Sequence, residues 1–189
     1  MISLSTEPCA MDGLLRIQRG NFEDARGLFS RLYCSTELAK KRTGGAPEQI
    51  NYSRTTGPGS VRGMHFQHPP HSEAKIVTCL YGEVFDVAVD LRSGSKTFLQ
   101  WHGENLSGRL LNSLVIPEGM AHGFQVLSAE AHLLYFHSRP YQREAEGRVH
   151  PLDPALKIAW PLEVCNLSPR DREASFLDAN YSGLNVDLS

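Results

Sequence analysis

The sequence is short of most features that assign a protein at a glance. Its four cysteines, Cys9, Cys34, Cys79 and Cys165, lie far apart, without the paired spacing of a zinc knot or a redox motif. A chain of 189 residues needs no disulfide framework, so reduced thiols are expected. An excess of one charge is also missing: 19 basic against 21 acidic side chains leave a formal charge of -2. That balance gives no long-range attraction to nucleic acid, although a local arginine cluster can still hold a small anion. Residues 1–20 contain no basic segment followed by a continuous apolar run, and no stretch approaches the length that spans a bilayer. The expectation is a cytoplasmic protein with a small-molecule partner, no membrane and no nucleic acid. There is no internal repeat or low-complexity segment. The length fits one domain over residues 1–189, large enough to bury roughly 70% of its unfolded surface and enclose a pocket.

What is present is strand pattern. Residues 74–81 form a largely apolar run, Gly82 punctuates it, and residues 83–91 alternate Phe85, Val87 and Val89 against Asp86, Ala88 and Asp90. Ser93-Gly94-Ser95 reads as a turn, residues 97–102 as a resumed strand, and residues 110–116 as another that stops at Pro117-Glu118-Gly119. Residues 123–127 and 131–136 add two more. Short strands with Gly and Pro turns and no helix between them predict an all-β antiparallel sandwich or barrel. The flanks are less regular: residues 38–42 suggest a helical turn, residues 44–47 and 55–60 read as loops, and the tail from Pro169 reads as a short helix or coil laid over the barrel.

The histidines cluster. His65, His68 and His71 fall within seven positions, and His122 follows later. A catalytic metal takes three protein ligands and leaves a position open, and jelly-roll metal sites offer two histidines one residue apart on a strand. That pair is missing and Pro69-Pro70 interrupts any helix, so no metal is expected; His68 and His71 read as solvated loop residues. His65 lies between Met64 and Phe66, which on a strand turn to the other face, so its ring projects into the barrel or satisfies a hydrogen bond in the core. Lys75 sits in an apolar strand run, and Tyr135 lies within Leu133-Leu134-Tyr135-Phe136. A base, a cation and a phenol facing inward are what removal of a proton beside a carbonyl requires. Arg26 and Arg62 each precede a glycine; such a pair suits a diphosphate, with the glycine giving a ligand room.

These residues resemble the dTDP-4-dehydrorhamnose 3,5-epimerases and related sugar-nucleotide epimerases. The motifs are Arg62-Gly63-Met64-His65-Phe66-Gln67, Gly82-Glu83-Val84-Phe85-Asp86-Val87-Ala88-Val89-Asp90, Ile116-Pro117-Glu118-Gly119-Met120-Ala121-His122-Gly123-Phe124, and Leu152-Asp153-Pro154 with Trp160-Pro161, in a similarity spanning about residues 16–177. The resemblance implies a cupin jelly roll, a homodimer whose strands cross between subunits, and no metal or organic cofactor. It implies His65 as base, oriented by Asp171, because a carboxylate on the far ring nitrogen fixes the tautomer and stabilises the imidazolium. It also implies Tyr135 as the acid on the opposite face, Lys75 on the C4 carbonyl of a 4-keto sugar, and His122 near the same oxygen or supporting the pocket. Arg26 and Arg62 would hold the pyrophosphate, with Phe29, Gln49 and Asn51 near the nucleoside. Tyr141 matches a family tyrosine close to the sugar, whose placement bears on which carbons invert.

Three departures stand out. Arg31 occupies a position where the family has a glutamate contacting the nucleoside, a charge reversal that leaves the nucleotide base open. The loop of residues 55–61 is one residue longer than the usual form, and residues 136–141 differ from the family's segment. The activity implied is inversion at C3, C5 or both of a nucleotide-diphosphate-linked 4-keto-6-deoxy hexose. The rivals are a non-catalytic sugar-nucleotide-binding cupin, a 3,4-keto-isomerase, and more remotely a metal-dependent dioxygenase.

Overall fold

The computed structural model describes residues 2–38 and 45–186. Strands β1 (Leu4–Pro8), β2 (Leu15–Arg19), β3 (Asn21–Asp24) and β4 (Gly27–Ser30) precede the short helix α1 (Ser35–Leu38). Then come β5 (Gln49–Thr56), β6 (Val61–Gln67), β7 (Lys75–Tyr81), β8 (Glu83–Asp90) and β9 (Trp101–Ser107). Strands β10 (Asn112–Ile116), β11 (Met120–Val126), β12 (Glu130–His137) and β13 (Glu146–Arg148) lead to the helix α2 (Pro169–Arg172).

The strands form a six-stranded sheet, β1-β2-β10-β7-β12-β5, and a five-stranded sheet, β13-β6-β11-β8-β9, with β3 and β4 paired apart from both. From β5 onward the chain passes repeatedly between the two sheets, and the named pairings are antiparallel. This is the expected jelly roll. Its core lies between the sheets, where Val77, Cys79, Leu114 and Leu133 of the first meet Val84, Ala88, Leu106 and Phe124 of the second.

Each sheet also has a cover. Phe66, Val87, Val89 and Ala121 on the outer face of the five-stranded sheet pack beneath Val149, Leu156 and Leu184 of the carboxyl-terminal segment. Leu38 of α1 packs with Ile17, Ile76, Val115 and Phe136 on the outer face of the other. Strand β8 is therefore buried on both sides. Its Phe85, Val87 and Val89 meet the tail, so the Asp86 and Ala88 side looks inward, where an acidic side chain needs a partner.

Several boundaries differ from expectation. Residues 97–100 are turn rather than strand, because Ser95 and Thr97 hydroxyls each donate to Asp90 Oδ2 at 2.6 Å and Leu99 takes φ 61°. Strand β9 consequently starts at Trp101 and runs on to Ser107. Similarly β10 starts only after Leu111, whose φ is 54°. The region read as a loop begins later than expected, since β5 continues through Thr55 and Thr56. Helix α1 ends at Leu38, so most of the helical turn expected over residues 38–42 lies outside the described residues, as does Gly44 of the expected loop.

Candidate active site

Strands β6 and β11 place His65 and His122 together. His122 pairs with His65, but Phe124 pairs with Arg62, so two steps along β11 match three along β6. This is a β-bulge at Gly63 and Met64. In an unbroken strand Arg62 and His65, three apart, would face opposite ways; the extra residue brings both to one cavity wall. Gly63 has φ +127°, and a Cβ there would meet Gly123 Cα at 2.5 Å. The space beside Arg62, expected to admit a ligand, admits the neighbouring strand instead. The other expected phosphate-side glycine, Gly27, opens β4 at φ +124° with nothing around its missing Cβ.

Asp171 reaches His65 from outside the sheet. Pro169 opens α2, and the Ser168 side chain caps it by accepting from the Asp171 amide at 3.1 Å. The Asp171 carboxylate lies 2.7 Å from His65 Nε2. Burial works to raise this carboxyl, but the hydrogen bond and charge of His65, with the Ser168 contact, hold it below the usual range. A carboxylate can only accept, so this contact favours the tautomer with the proton on Nε2 and leaves Nδ1 as the nitrogen suited to act as base.

The opposite wall comes from β7 and β12. Tyr135 pairs with Val77 and His137 with Lys75, so the period of two puts Lys75, Tyr135 and His137 on one face. The Tyr135 hydroxyl shares a 2.9 Å hydrogen bond with Ser53 Oγ. Burial lifts its phenol well above the ordinary tyrosine value against the opposing Ser53 bond, which keeps it protonated. Lys75 Nζ is 2.7 Å from Glu73 Oε1 and donates to the His65 carbonyl at 3.3 Å. His122 Nε2 is 2.8 Å from Asp86 Oδ2, and its ring meets that of Tyr135 edge-on with centroids 6.1 Å apart.

These groups line a cavity of about 410 Å³ whose wall includes Arg62, His65, Lys75, His122 and Tyr135, together with Asn51 and Tyr141. Gln49 lines an adjoining compartment, and its Oε1 accepts from the Tyr141 amide at 2.9 Å. The Tyr141 hydroxyl donates to Glu146 at 2.8 Å, and Glu146 also binds Arg148 and Arg170 at 2.8 and 2.7 Å. Burial alone would raise Glu146, but Arg148, Tyr141 and Arg170 hold it at about 2.

Arg26, Phe29 and Arg31 do not join this cavity within the chain. They lie on or beside the β3–β4 hairpin, where Arg26 pairs with Asp24 at 2.6 Å and Phe29 is 66% exposed. Arg31 bonds to Glu37 and to the Ile2 carbonyl at 3.2 Å. Among the described residues no group of three or more His, Cys, Asp or Glu side chains is gathered to hold a metal ion. The His68 ring instead packs edge-on against Phe66, 5.0 Å between centroids.

Sequence reasoning did not single out Asp86, Ser53, Glu73, His137 or Glu146. Asp86 carried the clearest signal, as an acid within a buried strand. Ser53 and His137 depend on strand pairings distant in sequence, and Glu73 and Glu146 on local contacts that carry no periodic signal.

A set of polar groups that can remove a proton on one side of a bound molecule and supply one on the other invites comparison with known proteins. The sequence profile of the family described as dTDP-4-dehydrorhamnose 3,5-epimerase matches residues 8–179. A dTDP-4-dehydrorhamnose 3-epimerase of Streptomyces niveus is 41% identical over 181 residues, covering 94% of this chain and 86% of that one. A dTDP-4-dehydrorhamnose 3,5-epimerase of Shigella flexneri is 40% identical over 163 residues, covering 85% and 89%. In three dimensions the chain is similar to a dTDP-6-deoxy-D-glucose-3,5-epimerase of Legionella pneumophila solved with dTDP-4-keto-L-rhamnose. That similarity has TM-score 0.88 and 38% identity, covering 97% of this chain and 100% of the other. It is also similar to a 4-keto-6-deoxy sugar epimerase from the novobiocin cluster of Streptomyces spheroides, with TM-score 0.86, 39% identity and coverage of 92% and 87%.

Proposed function

The chain belongs to the dTDP-4-dehydrorhamnose 3,5-epimerase family, and on that premise we propose how its residues carry out the reaction. It is an isomerase that inverts C3, C5 or both of a nucleotide-diphosphate-linked 4-keto-6-deoxy hexose, in deoxysugar biosynthesis. His65 Nδ1 takes the proton from the carbon beside the C4 carbonyl, and the electron pair moves onto the carbonyl oxygen. Lys75 and His122 stabilise the enolate oxygen, and the Tyr135 phenol returns a proton to the carbon from the other face. The imidazolium then loses its proton and the phenolate regains one through solvent, so the enzyme ends as it began. The observation that supports this most is a carboxylate-bound imidazole and a hydroxyl-bound phenol on opposite sheets of one cavity, with an ammonium group on the same wall as the phenol.

Arg62 lies on the cavity wall and suits the diphosphate, Gln49 and Asn51 suit the nucleoside, and Tyr141 suits the sugar. For Arg26, Phe29 and Arg31 the reading requires a second subunit. In a homodimer whose hairpins cross, they would complete the partner's site, and Phe22, Leu28 and Phe29, 55%, 49% and 66% exposed, would be covered. Arg31, paired with Glu37, would then present a cation to the nucleotide base. No helix among the described residues is long and apolar enough to cross a membrane, and a soluble substrate of this kind fits work in the cytoplasm.

The test is incubation with a dTDP-linked 4-keto-6-deoxy hexose in heavy water, followed by NMR. Deuterium at C3 or C5 with inverted product is expected. Absence of exchange at both carbons across a panel of nucleotide-linked 4-keto sugars contradicts the proposal.

A further inference from the structure

Two carboxylates stand on the cavity wall, and they differ in how fully they are engaged. Glu146 has both oxygens bound, to Tyr141, Arg148 and Arg170. Glu73 has only Oε1 engaged, by Lys75 at 2.7 Å; Oε2 is buried and has no hydrogen-bond partner in the protein. The Glu73 side chain is 6% exposed. It borders both the main cavity and an adjoining compartment of about 220 Å³ walled by Asn51, Gln67, His137 and Tyr141 among others.

A buried acceptor without a donor is unfavourable, and a donor brought by a bound molecule would relieve it. The arriving group is not a phosphate, because a carboxylate repels it, and Arg62 occupies a different strand of the wall. On a 4-keto-6-deoxy hexose the remaining donors are ring hydroxyls at C2 and C3. Glu73 sits beside the lysine assigned to the C4 carbonyl and lines the same cavity, so its carboxylate borders the region where those hydroxyls would lie. His137, on the same wall, has its Nε2 3.4 Å from Asn51 Nδ2 and adds a second polar surface there.

We propose that Glu73 is a specificity-determining residue whose Oε2 accepts a hydrogen bond from a ring hydroxyl of the bound sugar. This rests on the epimerase reading above. A site built around a buried acceptor rejects an analogue lacking the matching hydroxyl far more strongly than an apolar pocket would, because the acceptor is then left unpaired.

The experiment compares dissociation constants and kcat/KM for the dTDP-linked 4-keto-6-deoxy hexose and for analogues lacking the C2 or the C3 hydroxyl. Wild-type protein is compared with Glu73→Gln and Glu73→Ala. Wild-type protein should bind one of the two deoxy analogues about ten- to a hundredfold more weakly than the parent. That ratio should fall below about threefold in Glu73→Ala and lie between the two in Glu73→Gln. If Glu73→Ala does not fold, a fall in the ratio for Glu73→Gln carries the test. A Glu73 that only holds Lys75 in place would weaken parent and analogues alike and leave the ratio unchanged, which overturns the proposal. So does a wild-type ratio near one for both analogues, the result expected if water satisfies Oε2. If wild-type protein binds these compounds without inverting any of them, the epimerase reading fails, while the affinity ratios still decide Glu73.

Discussion

Two histidine–carboxylate pairs face the same cavity and are built differently. The His65 side chain is 38% exposed and meets an Asp171 that arrives on α2, outside the sheet. The His122 side chain is 7% exposed and meets Asp86, wholly buried on β8, the strand beside its own. A group that takes a proton from carbon must afterwards lose it to water, so it needs access to solvent. A group that only steadies negative charge gains from being fixed and dry, where each hydrogen bond is electrostatically stronger. The contrast fits the proposed roles, proton transfer for the first pair and steadying of charge for the second.

The largest effect expected from breaking this comparison is at His65. His65→Ala should lower carbon–hydrogen exchange about 1000-fold, the scale of general base catalysis, as read by deuterium incorporation. His122→Ala should cost about 10- to 100-fold in the same assay, because the enolate keeps Lys75. Equal losses for the two would erase the distinction. Next is Asp171→Asn, which retains the packing but presents an amide to Nε2 and disturbs the tautomer; kcat should fall about 100-fold.

Stability should rank the pairs in the reverse order. Asp86→Ala strands a buried imidazole nitrogen and should lower the unfolding free energy by about 2–3 kcal/mol, against about 1 kcal/mol for Asp171→Ala, measured by urea titration. The smallest effect concerns the third imidazole of the cavity. Burial, and after it the charge of Lys75, push His137 down to about 4, with Glu73 opposing. Between an unfolded value of about 6.5 and this folded value, the unfolded chain binds the extra proton and the folded one does not. Stability should therefore decline as pH falls through that window, and His137→Asn should flatten the decline.

The same contrast shows what the sequence could convey. His65, Lys75 and Tyr135 are legible as inward-facing because each sits among apolar neighbours on a strand, where the period of two fixes the face. Asp171 is not, since its contact with His65 spans 106 residues and rests on a capped helix turn folding back over the sheet; only the family motif pointed to it. Asp86 was visible as part of an alternating strand but not as a partner of His122, because a strand buried on both faces gives no hint of which side meets the cavity. Ser53 depends on the register of β5 against β12, strands far apart in the chain, and Glu73 precedes β7, where no strand period fixes its direction. The turn around Asp90 was misread as strand because its cause is a buried carboxylate gathering hydroxyls, which hydrophobic pattern does not report. Arg26, Phe29 and Arg31 show a different limit: their motif is local, yet within one chain it stands outside the cavity it was expected to serve.

The central claim is that an imidazole and a phenol serve opposite faces of one sugar carbon, and Tyr135→Phe measured in heavy water tests it most directly. The account predicts that deuterium still enters the recovered substrate at C3 or C5, within about tenfold of the wild-type rate, while inverted product falls by about 100-fold or more. Normal inversion by Tyr135→Phe, or loss of exchange as complete as in His65→Ala, would contradict it.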